Sequence, residues 1–278
     1  MKRRHVFEFE DQAWFPGWLR DGMTRILVVF SRALGATDAL GRLVGRAAEE
    51  QRVDAVVDLG SGSGGVMPEV VASLRGGGAD LHLTMCDLYP NQDAIRAFNR
   101  EGGPAHLRYL PEPVDARDLR SAPPGLKVMA NSFHHMRPED AAAILSSAQS
   151  ARQPLLIYEL ADNRIPFPLW CLGLVVGLPL VALSALALTP FVRPLSARQL
   201  LFTYVVPLLP LAYAWDGQAS MPRIYGLDDL EVLLARLDDS SDYVWEKGEA
   251  PTDRGRSVGI YLLGMPVRAP RASGGPAA

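Results

Sequence analysis

Apolar residues recur along this chain with three spacings, and each spacing predicts a different kind of structure. Between residues 14 and 30 they repeat at helical spacing, and the pattern starts near Pro16, a good residue for a first helical turn. A second helical pattern runs from Thr37, a suitable N-terminal cap, to Glu50. We assign residues 1–52 to a helical lid over a ligand, although core packing explains the same apolar pattern.

From residue 53 the pattern changes to short apolar runs that alternate with helical segments. This alternation is typical of an α/β domain with a mainly parallel sheet. Five runs are predicted to be strands: residues 55–59, 81–86, 106–110, 127–131 and 155–160. The helices predicted between them are residues 66–74, 92–100 and 138–152. A helix from Gly226 to about Leu237 and a β-hairpin of residues 243–247 and 257–264 are predicted to close the domain.

Polar residues follow the predicted strands at their carboxyl ends, where α/β sheets bind their ligands. The first strand runs into a glycine-rich loop, and glycine permits positive φ and a close approach of a ligand to the backbone. The later strands are followed by Asp87, by Asp115, by residues 131–135 and by residues 159–162. We therefore expect one polar ligand site at this edge of the sheet.

The glycine-rich loop is compatible with two kinds of nucleotide site. Gly60, Gly62 and Gly65 match the dinucleotide fingerprint G-x-G-x-x-G, but that match is weak by itself. Nicotinamide-binding folds usually carry an apolar residue two places before the first glycine, whereas this chain carries Asp58 there. A nicotinamide dehydrogenase would also be expected to have a second catalytic domain, and the pattern of apolar runs predicts none.

Residues 53–162 resemble the class I S-adenosylmethionine-dependent methyltransferases. The segment Asp58-Leu59-Gly60-Ser61-Gly62-Ser63-Gly64 is similar to the first motif of that family, an acid followed by G-x-G-x-G. The resemblance implies a Rossmann-like sheet of seven strands, mainly parallel with an antiparallel closing hairpin, and S-adenosylmethionine as the cofactor. It assigns cofactor binding to these loop residues: Asp58, Gly60, Ser61, Gly62 and Gly64.

Three later segments extend the resemblance. Asp87, followed by Leu88 in the same cofactor site, resembles the acid that holds both ribose hydroxyls through charge-assisted hydrogen bonds. Asp115-Ala116 resembles the acid and small residue that contact the adenine amino group. The segment from Asn131 to Met136 resembles the motif that borders both the methyl donor and the acceptor, with Asn131 on the donor side.

Methyl transfer from a sulfonium mainly requires that donor and acceptor be held in near-attack geometry in a dry site. A base is needed where the acceptor is a hydroxyl, an acidic carbon or a protonated amine. His134 and His135 are the candidate bases because imidazole titrates near neutral pH. Glu159 is a candidate for neutralising an ammonium acceptor. Loop hydrogen bonds explain the histidines equally simply, and helix capping explains Glu159.

Charge and cysteine content narrow the classes of ligand and partner. A net charge of −3 argues against a nucleic-acid binder whose affinity rests on bulk charge. Cys86 and Cys171 are interpreted as reduced thiols in apolar segments, and we predict no metal site. No secretory signal pattern opens the chain, which predicts a cytoplasmic location.

A long apolar insert at residues 166–215 departs from the minimal pattern of the family. Residues 166–192 carry no charge and would measure about 40 Å as one helix, enough to span a bilayer. Residues 200–215 are also uncharged but contain Pro207 and Pro210, which are expected to break a helix.

Three interpretations of the insert compete. A transmembrane hairpin would place Arg193 and Arg198 in the far loop, against the positive-inside tendency. An interfacial or re-entrant hairpin keeps both arginines near lipid phosphates while the apolar faces enter the bilayer. The third interpretation is an insert covered by protein, including a soluble dimer interface. We adopt the interfacial hairpin, at the inner face of the membrane.

We therefore expect one α/β methyltransferase domain that methylates a small lipophilic acceptor, lipid- or isoprenoid-like, at or near a membrane. The predicted divisions are residues 1–52 (lid), 53–165 (cofactor-binding core), 166–215 (insert), 216–266 (completion of the core) and 267–278 (disordered tail). The alternatives are a soluble small-molecule methyltransferase with the insert as dimer interface and a non-catalytic donor-binding membrane partner. The acceptor atom and the oligomeric state stay open.

Overall fold

A computed structural model describes residues 1–252 and 255–267, and these residues contain seven strands and nine α-helices. The strands are β1 (Ala55–Leu59), β2 (His82–Cys86), β3 (Leu107–Tyr109), β4 (Leu126–Ala130), β5 (Leu155–Glu159), β6 (Tyr243–Pro251) and β7 (Ser257–Pro266). The helices are α1 (Gly17–Leu34), α2 (Ala36–Gln51), α3 (Met67–Gly76), α4 (Gln92–Phe98), α5 (Pro138–Ser150), α6 (Phe167–Leu188), α7 (Ala197–Leu200), α8 (Leu208–Arg223) and α9 (Leu227–Leu234). The predicted tail, apart from residue 267, lies outside the described residues.

The strands form one sheet in the order β3-β2-β1-β4-β5-β7-β6. Strands β1 to β5 pair in parallel, and β7 pairs antiparallel with both β5 and β6. The predicted fold class is therefore confirmed: a Rossmann-like sheet of seven strands, mainly parallel, with an antiparallel closing hairpin. The order reverses between β1 and β4, and α/β sheets bind ligands beside such a reversal.

Successive strand residues face opposite sides of the sheet, and each side has its own core. Val56 packs into a cluster with Leu40 of α2 and Val70 of α3 on one side. Val57 packs with Ile144 of α5 and Leu230 of α9 on the other side. Burying each of these aliphatic side chains stabilises the fold by roughly 1.5–3 kcal/mol.

Helices α1 and α2 occupy the region predicted to be helical and are joined by one residue. Gly35 has a φ of 77°, and its N–H caps α1 by donating to the carbonyls of Arg32 and Ser31. Glycine adopts this left-handed conformation without a Cβ penalty, so the second helix begins at once, at Ala36. Whether the pair serves as a lid stays a prediction.

The apolar insert forms α6, α7 and α8. Its prolines differ in whether they interrupt a helix. The chain breaks at Pro207, where the helical residues 197–205 and α8 meet at an angle of 79°. Pro210 lies in the first turn of α8 and does not interrupt it, because the first N–H groups of a helix have no intrahelical acceptor. Helix α8 continues to Arg223, so the predicted division at residue 215 falls inside a helix.

Helix α6 runs unbroken through Gly173 and Gly177. A Cβ atom at Gly177 would lie 2.8 Å from the side-chain oxygen of Gln218, so this glycine lets α6 and α8 approach closely. Residues 167–191 have a mean hydropathy of 2.4, and only 6% of the 18-residue apolar stretch within them is buried. By length and composition this helix can cross a membrane, and the bent pair after it can form a second, broken span.

Candidate functional site

The glycine-rich loop after β1 adopts a conformation that favours glycine. Four of its residues have positive φ: Gly60 (70°), Gly62 (49°), Gly64 (106°) and Gly65 (51°). At Gly64 a Cβ atom would lie 2.6 Å from the ring of Phe98, so an added methyl group has no room. At Gly62 and Gly65 a Cβ would meet nothing within 4 Å. The loop is therefore a sharply turned backbone segment with open space beside it.

Hydrogen bonds tie this loop to β2 and β3. The Ser61 amide donates to the Cys86 carbonyl at 3.0 Å. The Gly62 amide donates to Oδ2 of Asp87 at 2.9 Å, and the Tyr109 hydroxyl donates to the Gly62 carbonyl at 2.9 Å. The carboxyl ends of three neighbouring strands are therefore held together as one edge, as the sequence predicted.

Helix α1 reaches the same loop from the other side. Asp21 accepts a hydrogen bond from the Ser63 hydroxyl and another from Nδ2 of Asn91 at 3.0 Å. Asn91 in turn caps α4 by accepting from the amides of Asp93 and Ala94. The first helix thus borders the loop, a placement compatible with the predicted lid.

Asp58 lies at the end of β1 and is buried, with 4% of its surface exposed. Burial raises the pKa of its carboxyl group to about 7, and the nearby charge of Asp87 adds to the rise while the Ser61 hydroxyl opposes it. Among the described residues no salt bridge neutralises Asp58. Since a buried carboxylate without a cation is unfavourable, the site would gain from a positively charged ligand.

Replacing Asp58 with asparagine is expected to flatten the pH dependence of stability. The folded carboxyl group has a pKa of about 7, above the value of 3.8 for an exposed aspartate. The wild-type fold therefore holds an extra proton between those values, and its free energy of unfolding falls as the pH rises through them. We expect Asp58→Asn to gain roughly 1–3 kcal/mol relative to wild type between pH 5 and pH 8. Urea unfolding at both pH values measures this.

The control for this substitution is Asp80→Asn, because the side chain of Asp80 is 81% exposed. A relative stability that does not change with pH in Asp58→Asn would show that the buried carboxyl group titrates normally.

Asp87 lies at the end of β2 and uses both carboxylate oxygens locally. Oδ2 accepts from the Gly62 amide, and Oδ1 accepts from the Tyr89 amide at 2.8 Å. The Val114 amide donates to the Asp87 carbonyl at 2.9 Å, which brings the loop after β3 beside it. Leu88 is 37% exposed. Asp87 therefore lies beside the glycine-rich loop, and its assignment to the ribose hydroxyls stays a prediction.

Asp115 lies on that neighbouring loop but is engaged by an arginine. Arg117 contacts both of its carboxylate oxygens, the closest at 2.7 Å, and also binds Asp140 at 2.9 Å. The Arg117 hydrogen bond holds the pKa of Asp115 below its usual value. Ala116 packs at the edge of the core that α5 and α9 cover. A ligand that approaches Asp115 must share it with Arg117.

The segment after β4 connects the glycine-rich loop to β5. Asn131 has a φ of 55°, and its side-chain oxygen accepts from the Leu160 amide at 2.8 Å. The Ser132 hydroxyl donates to the Leu59 carbonyl at 3.3 Å, and a Cβ at Gly60 would lie 3.5 Å from it. Asn131 thus links two strands, and the residues that follow it border the loop directly.

His134 is buried on Glu159, the last residue of β5. Its backbone N–H donates to Oε1 of Glu159 at 2.9 Å, and its Nδ1 lies 2.8 Å from Oε2. His134 is 5% exposed and Glu159 is 4% exposed. Burial alone would lower the pKa of this imidazole, but the charge and hydrogen bond of Glu159, with the charge of Glu8, raise it. Glu159 therefore fixes the position and the ring orientation of His134.

His135 stacks beside His134, with ring centroids 4.3 Å apart, and is bound by the N-terminal segment. Its Nδ1 lies 2.7 Å from Oδ1 of Asp11 and 3.2 Å from Oε2 of Glu8. The sequence predicted that the histidines and Glu159 meet at one strand edge, and the structure brings them together. It did not predict the two carboxylates from the first eleven residues.

Arg223, at the end of α8, holds those two carboxylates in place. It is fully buried, and its Nη1 lies 2.7 Å from Glu8 and 2.7 Å from Asp11. Burial of Asp11 favours its neutral form, but hydrogen bonds and charges of His135 and Arg223 prevail and hold its pKa well below the usual range. The cluster therefore joins the N-terminus, the segment after β4 and the last helix of the insert.

The N-terminal segment is hydrogen-bonded along its length. Arg3 donates to the His134 carbonyl at 2.8 Å and to the Arg223 carbonyl at 2.7 Å. The amides of Phe9 and Glu10 donate to the two carboxylate oxygens of Asp216 at 2.8 and 3.0 Å. Asp216 therefore anchors this segment on α8.

An open apolar groove of about 550 Å³ lies between the N-terminal segment, α1, α6 and α8. Its lining includes Phe9, Leu19, Pro179, Leu208 and Trp215. Phe9 follows Glu8 in the chain, so one wall of the groove is adjacent to the histidine cluster. The groove offers an apolar surface beside a polar centre.

No known protein-family profile matches this chain, and no curated protein matches it. Among solved structures it is similar to an O-methyltransferase (NcsB1) from neocarzinostatin biosynthesis, solved with S-adenosyl-L-homocysteine and 1,4-dihydroxy-2-naphthoic acid. That likeness has 17% identity and a TM-score of 0.42, and it covers 77% of this chain and 49% of the other. This chain thus spans about half the length of that enzyme.

Two further solved structures are similar. One is the methyltransferase domain of bacterial CtHen1, with 10% identity, a TM-score of 0.46 and coverage of 82% of this chain and 97% of the other. The other is human N-acetylserotonin methyltransferase in complex with SAM, with 13% identity, a TM-score of 0.44 and coverage of 86% and 55%. At these scores the fold assignment rests on the order and directions of the seven strands themselves.

Proposed function

We propose that the protein transfers a methyl group from S-adenosylmethionine to a small lipophilic acceptor at a membrane surface. The part of this proposal that concerns the methyl donor rests on one observation, the edge of the sheet formed by the glycine-rich loop, Asp58 and Asp87. Backbone and carboxylate groups converge there around open space, and Gly64 cannot accept a side chain. Asp58, buried without a cation, fits a ligand that carries positive charge.

S-Adenosylmethionine supplies a methyl group already activated by its sulfonium leaving group. In this assignment the loop from Gly60 to Gly64 holds the donor by its backbone. The Asp87 carboxylate would accept from the two ribose hydroxyls, exchanging its present bonds to backbone amides for charge-assisted bonds to the ligand. Asp115 would contact the adenine while sharing its charge with Arg117.

The acceptor half of the proposal rests on the histidine cluster. The Ser132 hydroxyl donates to the carbonyl of Leu59 at the end of β1, and His134 and His135 follow two and three residues later in the turn after β4, which supports a position of the two imidazoles near the donor loop. Glu159 fixes His134 by two hydrogen bonds, which supports a precise position for that ring. Such a pair can accept the proton of a hydroxyl, an acidic carbon or an ammonium as the methyl group moves.

The apolar groove beside this cluster supports a lipophilic acceptor. Its walls carry aliphatic and aromatic side chains, and its Phe9 wall adjoins Glu8 of the cluster. An acceptor with an apolar body and one polar reacting group would bury its body in the groove and leave the reacting group near the imidazoles. The hydrophobic effect would provide its affinity, at roughly 25 cal/mol per Å² of buried apolar surface.

Membrane association is supported by the outer face of the insert. Along α6 the most exposed side chains are apolar: Leu169 (59%), Leu172 (71%), Val175 (77%), Val176 (62%), Leu180 (60%) and Leu183 (59%). So large an apolar surface is typical of a contact with lipid or with another protein. Arg193 lies in the connection after α6 and Arg198 lies in the short helix α7, and an interfacial hairpin would place both near phosphates.

Titration calorimetry with S-adenosylmethionine and with S-adenosyl-L-homocysteine tests the donor half. We expect both to bind the full-length protein and Gly64→Ala to lose affinity, because its Cβ meets Phe98 at a positive φ. Gly17→Ala is the matched control, since a Cβ there meets nothing within 4 Å. If neither ligand binds wild type, the donor assignment is wrong.

Labelled donor incubated with membrane lipid extracts then identifies the acceptor. Label found only in water-soluble products would contradict a lipophilic acceptor.

A further inference from the structure

We propose that Glu8, His134 and His135, supported by Asp11, form a binding site for one divalent transition-metal cation such as Zn²⁺. The site was not predicted from the sequence. It draws one carboxylate from the N-terminal segment and two imidazoles from the turn after β4.

The potential ligand atoms converge on one point. One oxygen of Glu8 and one ring nitrogen from each histidine lie within 4.8 Å of one another. His135 Nδ1 is 3.2 Å from Oε2 of Glu8, and His134 Nε2 is 3.9 Å from Oε1 of Glu8. Ligand atoms that surround Zn²⁺ at about 2.0–2.2 Å are separated by ~3.3 Å in a tetrahedral arrangement, so side-chain shifts of about 1 Å complete it. Asp11 is not one of these converging groups; its Oδ1 lies 2.7 Å from His135 Nδ1 and supports that ring from the side.

The surroundings of His134 resemble those of a metal-bound histidine. Metal-ligating histidines usually donate their second ring N–H to a carboxylate, which fixes the tautomer and turns the other nitrogen toward the cation. Here Nδ1 is bound to Glu159 at 2.8 Å, and Nε2 points to Glu8. With a neutral ring, Nε2 and the Glu8 oxygen would both be acceptors facing each other without a proton between them. A cation between them resolves that conflict.

The burial of Glu8 is a second observation that fits a cation site. Glu8 is 1% exposed, and its Oε2 makes ion pairs but no hydrogen bond in the described part of the chain. The other oxygen, Oε1, accepts from the Ser220 hydroxyl at 2.8 Å, which orients the carboxylate. Buried carboxylates of this kind are usually paired or coordinate metals.

The charges in contact with the two imidazoles do not balance by themselves. Glu8, Asp11 and Glu159 bring three negative charges, while Arg223 is the guanidinium that pairs with Glu8 and Asp11. With both rings neutral the contact set carries two excess negative charges, and one divalent cation cancels them. The mixture of imidazole and carboxylate suits Zn²⁺ and the neighbouring first-row ions.

The consequence for chemistry rests on the proposed function, although the binding of the cation does not. With the cation bound, the ring nitrogens that face it would be its ligands and no longer bases. The cation would attract an acceptor that has a hydroxyl or another oxygen at its reacting end, and it would favour the loss of that group's proton. This selects oxygen acceptors over amines and explains how an apolar molecule is held by its one polar end.

The test is metal binding by the full-length protein, independent of activity. After treatment with EDTA, the wild type is expected to take up one Zn²⁺ per chain, as followed by calorimetry and by elemental analysis after dialysis. Glu8→Gln and His135→Ala are expected to lower the affinity by at least a factor of ten, and Glu159→Gln by about 10–100-fold through His134. His82→Ala is the matched control, because His82 is a surface histidine whose side chain is 54% exposed.

A spectroscopic measurement on wild type tests the proposal even if the variants fail to fold. Co²⁺ added to the metal-free protein is expected to give the visible absorption of a four- or five-coordinate site, and Zn²⁺ is expected to abolish it. Wild type that binds no Zn²⁺ after dialysis, or that binds it as well in Glu8→Gln, would overturn the proposal and leave two protonated imidazoles as the balancing charges. Donor binding is measured separately, so either proposal can fail alone.

Discussion

With Leu172→Glu and Val175→Glu combined, the protein is expected to move from the membrane fraction to the supernatant. Both side chains are on the exposed surface of α6, at 71% and 77% exposure, so neither substitution removes a core contact. If that surface lies in lipid, each carboxylate costs ~2–3 kcal/mol to place there, and the pair lowers the membrane partition by roughly 10³-fold or more. Fractionation of cells that express the full-length protein measures the shift.

The matched control is Leu34→Glu with Val244→Glu. These residues are also apolar and exposed, at 46% and 53%, but they belong to the end of α1 and to β6. The control should stay with the membrane. A carbonate wash of wild type separates the two membrane interpretations, because an interfacial hairpin is released and a spanning one is retained.

Wild type in the supernatant would contradict the membrane proposal. If such a soluble protein were a dimer that Leu172→Glu and Val175→Glu dissociate, the exposed face of α6 would be an interface between two copies. The apolar composition of α6 fits contact with lipid and contact with a second copy of the chain, and this experiment distinguishes the two.

The donor edge was predictable because its signals are local. Val56 and Val57 precede an acid and a run of glycines, and each later strand is likewise followed by a polar residue within a few positions. Parallel pairing then places those residues at one edge without any long-range information. The strand bounds agree with the predicted ones to within two residues, as expected where hydrogen bonding decides the last residue, except that β6 ends at Pro251 and was predicted to end at residue 247.

The acceptor side was only partly predictable, since its partners come from distant parts of the chain. Glu8 and Asp11 precede His135 by more than a hundred residues, and Arg223 follows it by nearly ninety. The sequence near Phe9 places acids among aromatic residues, and this pattern does not indicate which buried group will pair with those acids. The only sequence signal was an arginine after a long apolar segment. In the structure, that arginine ends a helix and is fully buried.

Asp115 shows a different limit. Its position after β3 matched the resemblance, but Arg117 lies only two residues further on and binds both of its oxygens. Spacing to the next strand indicates where a carboxylate lies, whereas the ion pairs it makes depend on side-chain reach. An adenine contact at Asp115 therefore stays a proposal, with Arg117 as a competing partner.

His134→Ala and His135→Ala are each expected to lower kcat by about 10²–10⁴-fold, the usual contribution of a positioned acid–base group. The dissociation constant for S-adenosylmethionine should change less than about threefold, since the described hydrogen bonds of both imidazoles go to carboxylates outside the glycine-rich loop and general acid–base groups act in the transition state. His134 should be the more sensitive to its surroundings, because it is buried and fixed by Glu159 at 2.8 Å. Single-turnover rates with the acceptor found in lipid extracts, together with donor calorimetry, separate the two effects.

Two controls accompany these variants. His82→Ala, on the surface, should leave kcat unchanged, and Glu159→Gln should lower kcat less than His134→Ala because an amide can keep one hydrogen bond to the His134 amide. Unfolding in urea confirms that the variants compared are folded. Full activity of both histidine variants on the native acceptor would show that the imidazoles serve only to bind the N-terminal segment. Loss of donor affinity in parallel with kcat would instead mean that they shape the donor site, since an interaction confined to the acceptor cannot weaken donor binding.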